Sequence, residues 1–289
     1  VSNVASDDAA EEGNETAPWL CRVDSINYVT PDHHGRVILS GSHGGLYSAF
    51  KGLSVAPRGL VLNDAGSGLK DAGVAALAEG DRIAVAVATI AHTSARIGDA
   101  DDMARRGIVS RANRAAQAAG ITPGMACAEA LTRLSRLAPG TAAPRTIKEH
   151  RSEISCAADA EAVVCIDSAS LIQPEDKGRI ILTGSHGGLI GGDPSKAINV
   201  ACRFVAFNDA GGGCDDAGIG RLGPLDLRGI AAVTVSHRSA EIGNAVSTLE
   251  RGVVSHANAA ARRLGAGAGM RLRDFLARWL APAPAAPRA

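Results

Sequence analysis

The sequence predicts an α/β protein of two tandem homologous α/β repeats with mainly parallel sheets, related by a pseudo-twofold axis. Apolar strand segments alternate with helical segments, which is typical of parallel sheets covered by helices. Residues 35–45 read GRVILSGSHGG and residues 178–188 read GRIILTGSHGG, with nine of eleven positions identical. Hydrophobic residues make up 46% of the chain, which is enough for a core.

The repeat extends well beyond this segment. Asn63-Asp64-Ala65-Gly66 recurs as Asn208-Asp209-Ala210-Gly211, and His92 and Ser94 recur as His237 and Ser239. We therefore predict five regions: a disordered acidic tail at 1–18, a first α/β repeat at 19–136, a connector at 137–160, a second α/β repeat at 161–280 and a flexible tail at 281–289.

The two repeats predict the same elements in the same order. Runs rich in Val, Ile and Leu, bounded by Gly, Asp or Pro, predict the strands. The first repeat has them at 22–29, 36–40, 59–62 and 83–89, and the second at 163–172, 179–183, 203–207 and 230–235. A short helix is predicted after Gly45, another at 70–78, and closing helices at 95–106 and 108–119.

Three polar loops follow predicted strands in each repeat. They are Gly41-Ser42-His43-Gly44-Gly45, Asn63-Asp64-Ala65-Gly66 and His92-Thr93-Ser94, with matched loops in the second repeat. Ligands of open parallel sheets bind beyond the carboxyl ends of the strands, so we expect the loops to meet at one edge. Around a pseudo-twofold axis they would face one cleft walled by His43, Asp64, His92, His186, Asp209 and His237.

These loops favour a hydrolase that acts on a small polar metabolite bearing a carboxylate or an amide. A histidine would be the general base, an aspartate would orient it, and a serine would be the nucleophile or a substrate ligand. The predicted catalytic residues are Ser42, His43, Asp64, His92, Ser185, His186, Asp209 and His237. The predicted substrate-binding residues are Gly44, Gly45, Asn63, Ser94, Arg96, Gly187, Gly188, Asn208, Arg238 and Ser239.

Two alternatives stay open at this stage. A divalent metal (Zn, Mn or Fe) held by His43, Asp64 and His92 would make the protein a metal-dependent hydrolase or lyase, although the sequence lacks HxH and HExxH spacings. The glycine-rich loops could instead bind a small anion without catalysis. The cofactor, if any, is not decided by the residues alone.

Charge and cysteine content narrow the class of protein. The chain has 30 Lys+Arg and 30 Asp+Glu, a formal net charge of zero, which argues against nucleic-acid or anionic-membrane partners. No apolar run reaches the ~18–20 residues of a membrane span. Six cysteines without a CxxC pair predict reduced thiols and a cytoplasmic location. We expect a small-molecule substrate as the partner, and a homo-oligomer is left open.

Overall fold

The computed structural model describes residues 17–140, 147–156 and 161–281. These residues form an α/β protein with two mixed sheets of five and six mostly parallel strands, together with helices. We call residues 17–140 the first half and 147–281 the second half. Residues 1–16 and 282–289, on which most of the two predicted tails fall, lie outside the described residues.

The first half contains a five-stranded sheet in the order β1-β2-β3-β4-β5. In chain order its elements are β1 (Leu20–Val23), β2 (Val37–His43), α1 (Leu46–Leu53), β3 (Gly59–Asn63), α2 (Ala76–Arg82), β4 (Val87–Ile90), α3 (Ala100–Arg106), β5 (Val109–Ala112), α4 (Arg114–Ala118) and α5 (Cys127–Leu134). Strands β1 to β4 are parallel and β5 is antiparallel to β4. The carboxyl ends of the parallel strands therefore share one edge.

The second half contains a six-stranded sheet, one strand more than the first, and the additional strand comes first in the chain. Its elements are β6 (Arg151–Ser155), β7 (Ala162–Ile166), β8 (Ile180–His186), β9 (Phe204–Asn208), α6 (Leu222–Leu227), β10 (Ala231–Val235), α7 (Ala245–Arg251), β11 (Val254–Ala257), α8 (Ala259–Arg263) and α9 (Leu272–Leu280). The sheet order is β11-β10-β9-β8-β7-β6, and the two edge strands, β6 and β11, are antiparallel to their neighbours.

Strand β2 shows why the apolar runs lie at the centre of a sheet. Val37, Ile38 and Leu39 are fully buried. Successive side chains of a strand point to opposite faces. Val37 and Leu39 accordingly join the core that includes residues of α3 and α5, whereas Ile38 joins the core that includes residues of α1 and α2. Burial on both faces explains a continuous apolar run in place of an alternating one.

The structure differs from the predicted elements where tertiary pairing decides the conformation. Residues 108–119 were predicted to be one helix but form β5 and then α4. The Ser110 hydroxyl lies 3.0 Å from the Thr89 hydroxyl of β4, and the Asn113 side chain caps α4. The predicted connector likewise includes strand β6, whose alternation of exposed and half-buried residues is that of an edge strand. Helices α5 and α9 were not predicted.

The halves meet through backbone hydrogen bonds at matched positions. Leu69 N–H donates to the His237 carbonyl at 2.8 Å, and Cys214 N–H donates to the His92 carbonyl at 2.7 Å. Gly191 N–H donates to the Gly98 carbonyl at 2.7 Å. A small apolar cluster, which we call the junction cluster, lies at the same contact. It consists of Ala65, Ile97, Ala210 and Ile242, with Ala72 and Ala217 packed against it.

Two further properties bear on the class of protein. In the part of the chain that the structure describes, no helix is both long enough and apolar enough to cross a bilayer. The six cysteines are free thiols, and all but Cys214 are buried. Burial raises the pKa of Cys127 to about 12, so that this thiol stays protonated and unreactive at neutral pH.

We predict that Gly98→Ala weakens the junction of the halves. Gly98 has φ +85°, and an added Cβ would lie 2.2 Å from the Leu189 carbonyl oxygen of the second half. Left-handed strain of about 1–2 kcal/mol then adds to an overpacking cost of about 1–3 kcal/mol. Urea unfolding measures the loss of free energy.

Gly124→Ala is the matched control for that substitution. Gly124 has φ +90° but no heavy atom within 4 Å of the added Cβ. Gly124→Ala therefore has the backbone strain but no steric clash, so Gly98→Ala should lower the free energy of unfolding by more than Gly124→Ala does. Equal losses for the two variants would show that the contact with Leu189 does not stabilise the junction.

Candidate functional site

Two histidines stand at the ends of central strands. His43 is the last residue of β2 and His186 the last of β8. Gly45 N–H donates to His43 Nδ1 at 3.1 Å, and Gly188 N–H donates to His186 Nδ1 at 3.1 Å. Because Nδ1 accepts in both rings, the proton of each neutral imidazole is on Nε2.

Both imidazoles are uncharged at neutral pH. Burial lowers the pKa of His43 to about 4. Burial also lowers the pKa of His186 well below its usual range, and the positive charge of Arg221 and the neighbouring His43 lower it further. Neither Nε2 has a hydrogen-bond partner within the described residues. Every side-chain nitrogen or oxygen that is sealed from solvent there does have a partner, so the two Nε2 atoms are not sealed. Both Nε2–H groups therefore reach open space.

Both histidines line a cavity of about 970 Å³ between the halves. Ser42 and Ser185 also line it. Ser42 Oγ accepts from Ile26 N–H at 2.9 Å, and Ser185 Oγ accepts from Ala169 N–H at 2.9 Å. Among the described residues no base contacts either hydroxyl. The geometry thus favours the serines as substrate ligands over the serines as nucleophiles.

The segment between the halves supplies a carboxyl group to the same cavity. Residues 147–150 line the cavity, and the Glu149 side chain lies near the Tyr47 and Ser168 hydroxyls. Burial raises the pKa of Glu149 to about 7; the neighbouring Ser168 and Tyr47 hydroxyls oppose this rise and the nearby Asp167 carboxylate adds to it. Glu149 can therefore release or take up a proton near neutral pH, as a general acid–base group must.

The other two predicted histidines form pairs with aspartates. His92 Nδ1 lies 2.9 Å from Asp64 Oδ1, and His237 Nδ1 lies 2.9 Å from Asp209 Oδ1. Each carboxylate oxygen also accepts from the backbone N–H of its histidine. Burial raises the pKa of Asp64 and Asp209, but these hydrogen bonds outweigh it and hold both pKa values below their usual range. An ionised aspartate makes Nδ1–H the donor and leaves Nε2 as an acceptor.

His92 and His237 line a second, smaller pocket of about 430 Å³. Residues 66–70 and Arg238 complete its walls. The His92 ring packs against the backbone of Gly211, where an added Cβ would lie 2.7 Å from Cδ2. The His237 ring packs in the same way against Gly66. Each pair therefore sits on the backbone of the other half.

The structure does not bring the six predicted histidines and aspartates to one cleft. His43 and His186 line the larger cavity, whereas His92 and His237 line the smaller pocket and Asp64 and Asp209 stand behind them. Ile242 of the junction cluster lines the larger cavity, and Ala65 of the same cluster is the chain neighbour of Gly66, which lines the smaller pocket. Asp64 consequently orients His92 and does not contact His43.

None of the ten predicted substrate-binding residues lines the larger cavity. The Asn63 and Asn208 side chains accept from the backbone of Ala65 and Ala210 in the tight turns after β3 and β9. The other eight predicted substrate-binding residues do not line the larger cavity either: Gly44, Gly45, Ser94, Arg96, Gly187, Gly188, Arg238 and Ser239. Of these, Gly45 and Gly188 orient the histidines, and Arg238 lines the smaller pocket.

Sequence reasoning missed three groups of the larger cavity. Glu149 lies in a segment predicted to be a connector, Tyr47 lies on α1, and Arg221 stands just before α6. Arg221 occupies the position matched to Ala76 in the first half. That difference between the repeats was the one signal in the sequence that could have drawn attention to it.

The metal alternative lacks its ligand set in this arrangement. His43 lines one cavity, while Asp64 and His92 pair at the other. Among the residues that the structure describes, no three His, Cys, Asp or Glu side chains are grouped to hold a metal ion. Comparison with protein-family models, curated proteins and solved structures finds no match to the chain. The candidate site is accordingly interpreted from its own geometry.

We predict that the Asp–His pairs make stability fall in acid. Despite burial, which raises them, the hydrogen bonds hold the pKa values of Asp64 and Asp209 below the usual range of an aspartate in the folded chain. Their contribution is therefore complete above about pH 4 and is lost as the pH falls through the folded values. The double variant Asp64→Asn/Asp209→Asn should be about 1–3 kcal/mol less stable at pH 7 and should show a flatter pH dependence between pH 5 and 2.

Thermal and urea unfolding across that range measure the effect. Asp71→Asn is the control, since the Asp71 side chain is 66% exposed and forms only a long ion pair with Arg111. An acid-induced loss in the double variant as steep as that in the unaltered protein would contradict the assignment.

Proposed function

We propose that this protein is a hydrolase that acts on an amide or ester bound in the larger cavity between its halves. The observation that carries the proposal is the convergence of two neutral Nε2–H imidazoles and a carboxyl group with a pKa of about 7 in one cavity. Neutral imidazoles donate hydrogen bonds to a carbonyl oxygen, and a carboxyl group of this pKa transfers protons at neutral pH.

The proposed reaction uses water as the nucleophile. Glu149 removes a proton from water as the oxygen bonds to the carbonyl carbon, and the charge that develops on the carbonyl oxygen is stabilised by His43 and His186. The protonated Glu149 then returns the proton to the leaving nitrogen or oxygen as the bond to carbon breaks. The products are a carboxylic acid and an amine or alcohol, and Glu149 ends as it began. Ser42 and Ser185 act as substrate ligands in this scheme.

The proposal includes a tandem repeat arranged about a pseudo-twofold axis. Sequence matches and reciprocal contacts support it: His237 of one half accepts from Leu69 of the other, and His92 accepts from Cys214. An axis of this kind places His43 and His186 across from each other. The buried free thiols support a reducing, cytoplasmic location.

A second candidate places the acid–base chemistry at the smaller pocket. The Asp64–His92 and Asp209–His237 pairs favour it, because an aspartate on Nδ1–H leaves Nε2 able to accept a proton. In this version His92 or His237 is the general base and the larger cavity only binds ligand. A purely anion-binding role without catalysis is the third possibility, and it is supported by the cationic Arg221 in the cavity wall.

Glu149→Gln tests the proposed base. Turnover of p-nitrophenyl acyl esters or aliphatic amides should fall by ~10²–10⁴, the range for a lost acid–base group. The ionised form is the base, so kcat/KM of the unaltered protein should rise with pH through about 7, and the variant should lose that rise. Glu153→Gln on β6 is the control, since Glu153 pairs with Arg179 and does not line the cavity. Undiminished turnover in Glu149→Gln would reject this mechanism.

His43 separates the two catalytic candidates. His43→Phe removes the Nε2–H donor and should lower kcat by ~10²–10³, as for a lost oxyanion ligand. His43→Gln keeps an acceptor for Gly45 and a donor for the substrate, so it should retain more activity. The pH profile should keep its shape near 7 in both, because His43 titrates near 4. If His92→Phe abolishes turnover and His43→Phe does not, the smaller pocket is the catalytic site.

A further inference from the structure

Arg221 is a buried cation that lines the larger cavity without an acidic partner. Its side chain is among the buried polar groups, at 5% exposure. Nε donates to the Gly188 carbonyl at 2.9 Å, Nη1 donates to the Ala197 carbonyl at 2.6 Å, and the guanidinium lies 4.9 Å from the centre of the Phe207 ring. In the described part of the chain no carboxylate forms an ion pair with it.

Arg221 lines the cavity and has guanidinium donors that its two backbone partners do not use. Nη2 has no hydrogen-bond partner among the described residues. Side-chain nitrogens that are sealed from solvent there all have a partner, so Nη2 is not sealed from solvent. Burial lowers the pKa of Arg221 to about 10, and no neighbouring acid offsets this effect. Arg221 is still charged at neutral pH. A charge held in the protein interior without a counter-charge is costly, and a bound anion would relieve that cost.

Several other charged groups line the cavity, and most of them have a partner; the exception among the cations is the exposed Lys148, which forms no ion pair within the described residues. Lys70 contacts Glu241 at 2.7 Å, and Asp167 accepts hydrogen bonds from His150 and from the backbone of Ala245. Arg221 is thus the buried cation of the wall that has no acidic partner among the described residues, whereas Lys148 is exposed to solvent. The matched residue in the first half is Ala76, which carries no charge. An anion site at Arg221 would therefore be present in the second half only, so that a ligand would bind the cavity in one orientation.

An apolar surface continues from the same cavity. Seven large hydrophobic side chains are exposed among the described residues, and four of them line this cavity: Tyr28, Leu46, Ile147 and Val246. Leu46 is 45% exposed and Val246 is 40% exposed. Apolar groups gathered at the edge of a polar cavity are typical of a site that buries the apolar body of a ligand. The cavity volume of about 970 Å³ is ample for such a body.

We propose that the ligand of this cavity is an amphiphilic carboxylate, whose anionic end pairs with Arg221 and whose alkyl or aromatic body packs against Tyr28, Leu46, Ile147 and Val246. The guanidinium fork matches carboxylate geometry, which makes arginine a better carboxylate ligand than lysine. This inference deepens the proposed function by naming the substrate class of the same cavity. It depends on that function only for the fate of the substrate's carbonyl group.

Binding of matched uncharged and charged probes tests the inference without catalysis. Isothermal titration on the full chain compares acetate, butanoate, hexanoate and octanoate with methyl ketones of the same shape, from acetone to 2-nonanone. The ketones keep the carbonyl and the chain but lack the charge, and they cannot be hydrolysed. Octanoate should bind about 10- to 100-fold more tightly than 2-nonanone, the value of a hydrogen bond to a charged group. Each added methylene should tighten binding in both series, by up to about four-fold.

Two variants assign each contribution to its residues. Arg221→Met should remove the preference for octanoate over 2-nonanone and keep the dependence on chain length. Leu46→Ser/Val246→Ser should flatten the dependence on chain length and keep the preference for the carboxylate. Arg228→Met is the control, because Arg228 also donates to a backbone carbonyl, that of Ile198, but does not line the cavity.

The unaltered protein alone is decisive if Arg221→Met does not fold. Equal affinity for octanoate and 2-nonanone overturns the anion site, and affinity independent of chain length overturns the apolar site. No octanoate binding at millimolar concentration overturns both. The proposed hydrolase fails on a different measurement, namely undiminished turnover in Glu149→Gln, so the two proposals can be rejected separately.

Discussion

Close backbone contact between the two halves is the constraint on which the candidate site depends. At Gly98 the chain passes so near the Leu189 carbonyl that no Cβ fits, and the same loop lies against the His186 ring. Gly243 lies against the His43 ring in the corresponding place. The contact removes water from one side of each imidazole, and this burial keeps both rings neutral. A looser junction would leave two ordinary histidines with pKa values near neutrality.

Desolvation then sets the protonation state of each group around the cavity. It lowers the pKa of His43, raises that of Glu149 and lowers that of Arg221 without removing its charge. The result is a set of groups in different protonation states at the same pH: neutral imidazoles, a carboxyl group that titrates near neutrality and a guanidinium cation. Environments that push the pKa values of neighbouring groups apart are characteristic of acid–base sites.

The Asp–His pairs contribute to the junction in a different way. His92 and His237 place their backbone carbonyls and their rings on the opposite half, and Asp64 and Asp209 hold them there through two hydrogen bonds each. Each aspartate also accepts from a backbone N–H of its own turn, that of Gly66 or Gly211. This set of hydrogen bonds requires ionised aspartates, because a protonated carboxyl group cannot accept as many hydrogen bonds. The same geometry that makes them candidates for catalysis therefore also holds the halves together.

The sequence by itself determined the α/β class and the mainly parallel sheets, because buried parallel strands require continuous apolar runs such as 37–39 and 180–182. It also placed His43 and His186 in loops directly after predicted strands, whereas in the structure β2 and β8 extend far enough to include them. Only the tertiary structure decided the strand β5 in place of a helix, the division of the polar loops between two pockets, and the positions of Glu149 and Arg221 at the larger cavity. These features depend on burial and on contacts between residues far apart in the chain. A local residue pattern does not show which side chains will lose their contact with water when the chain folds.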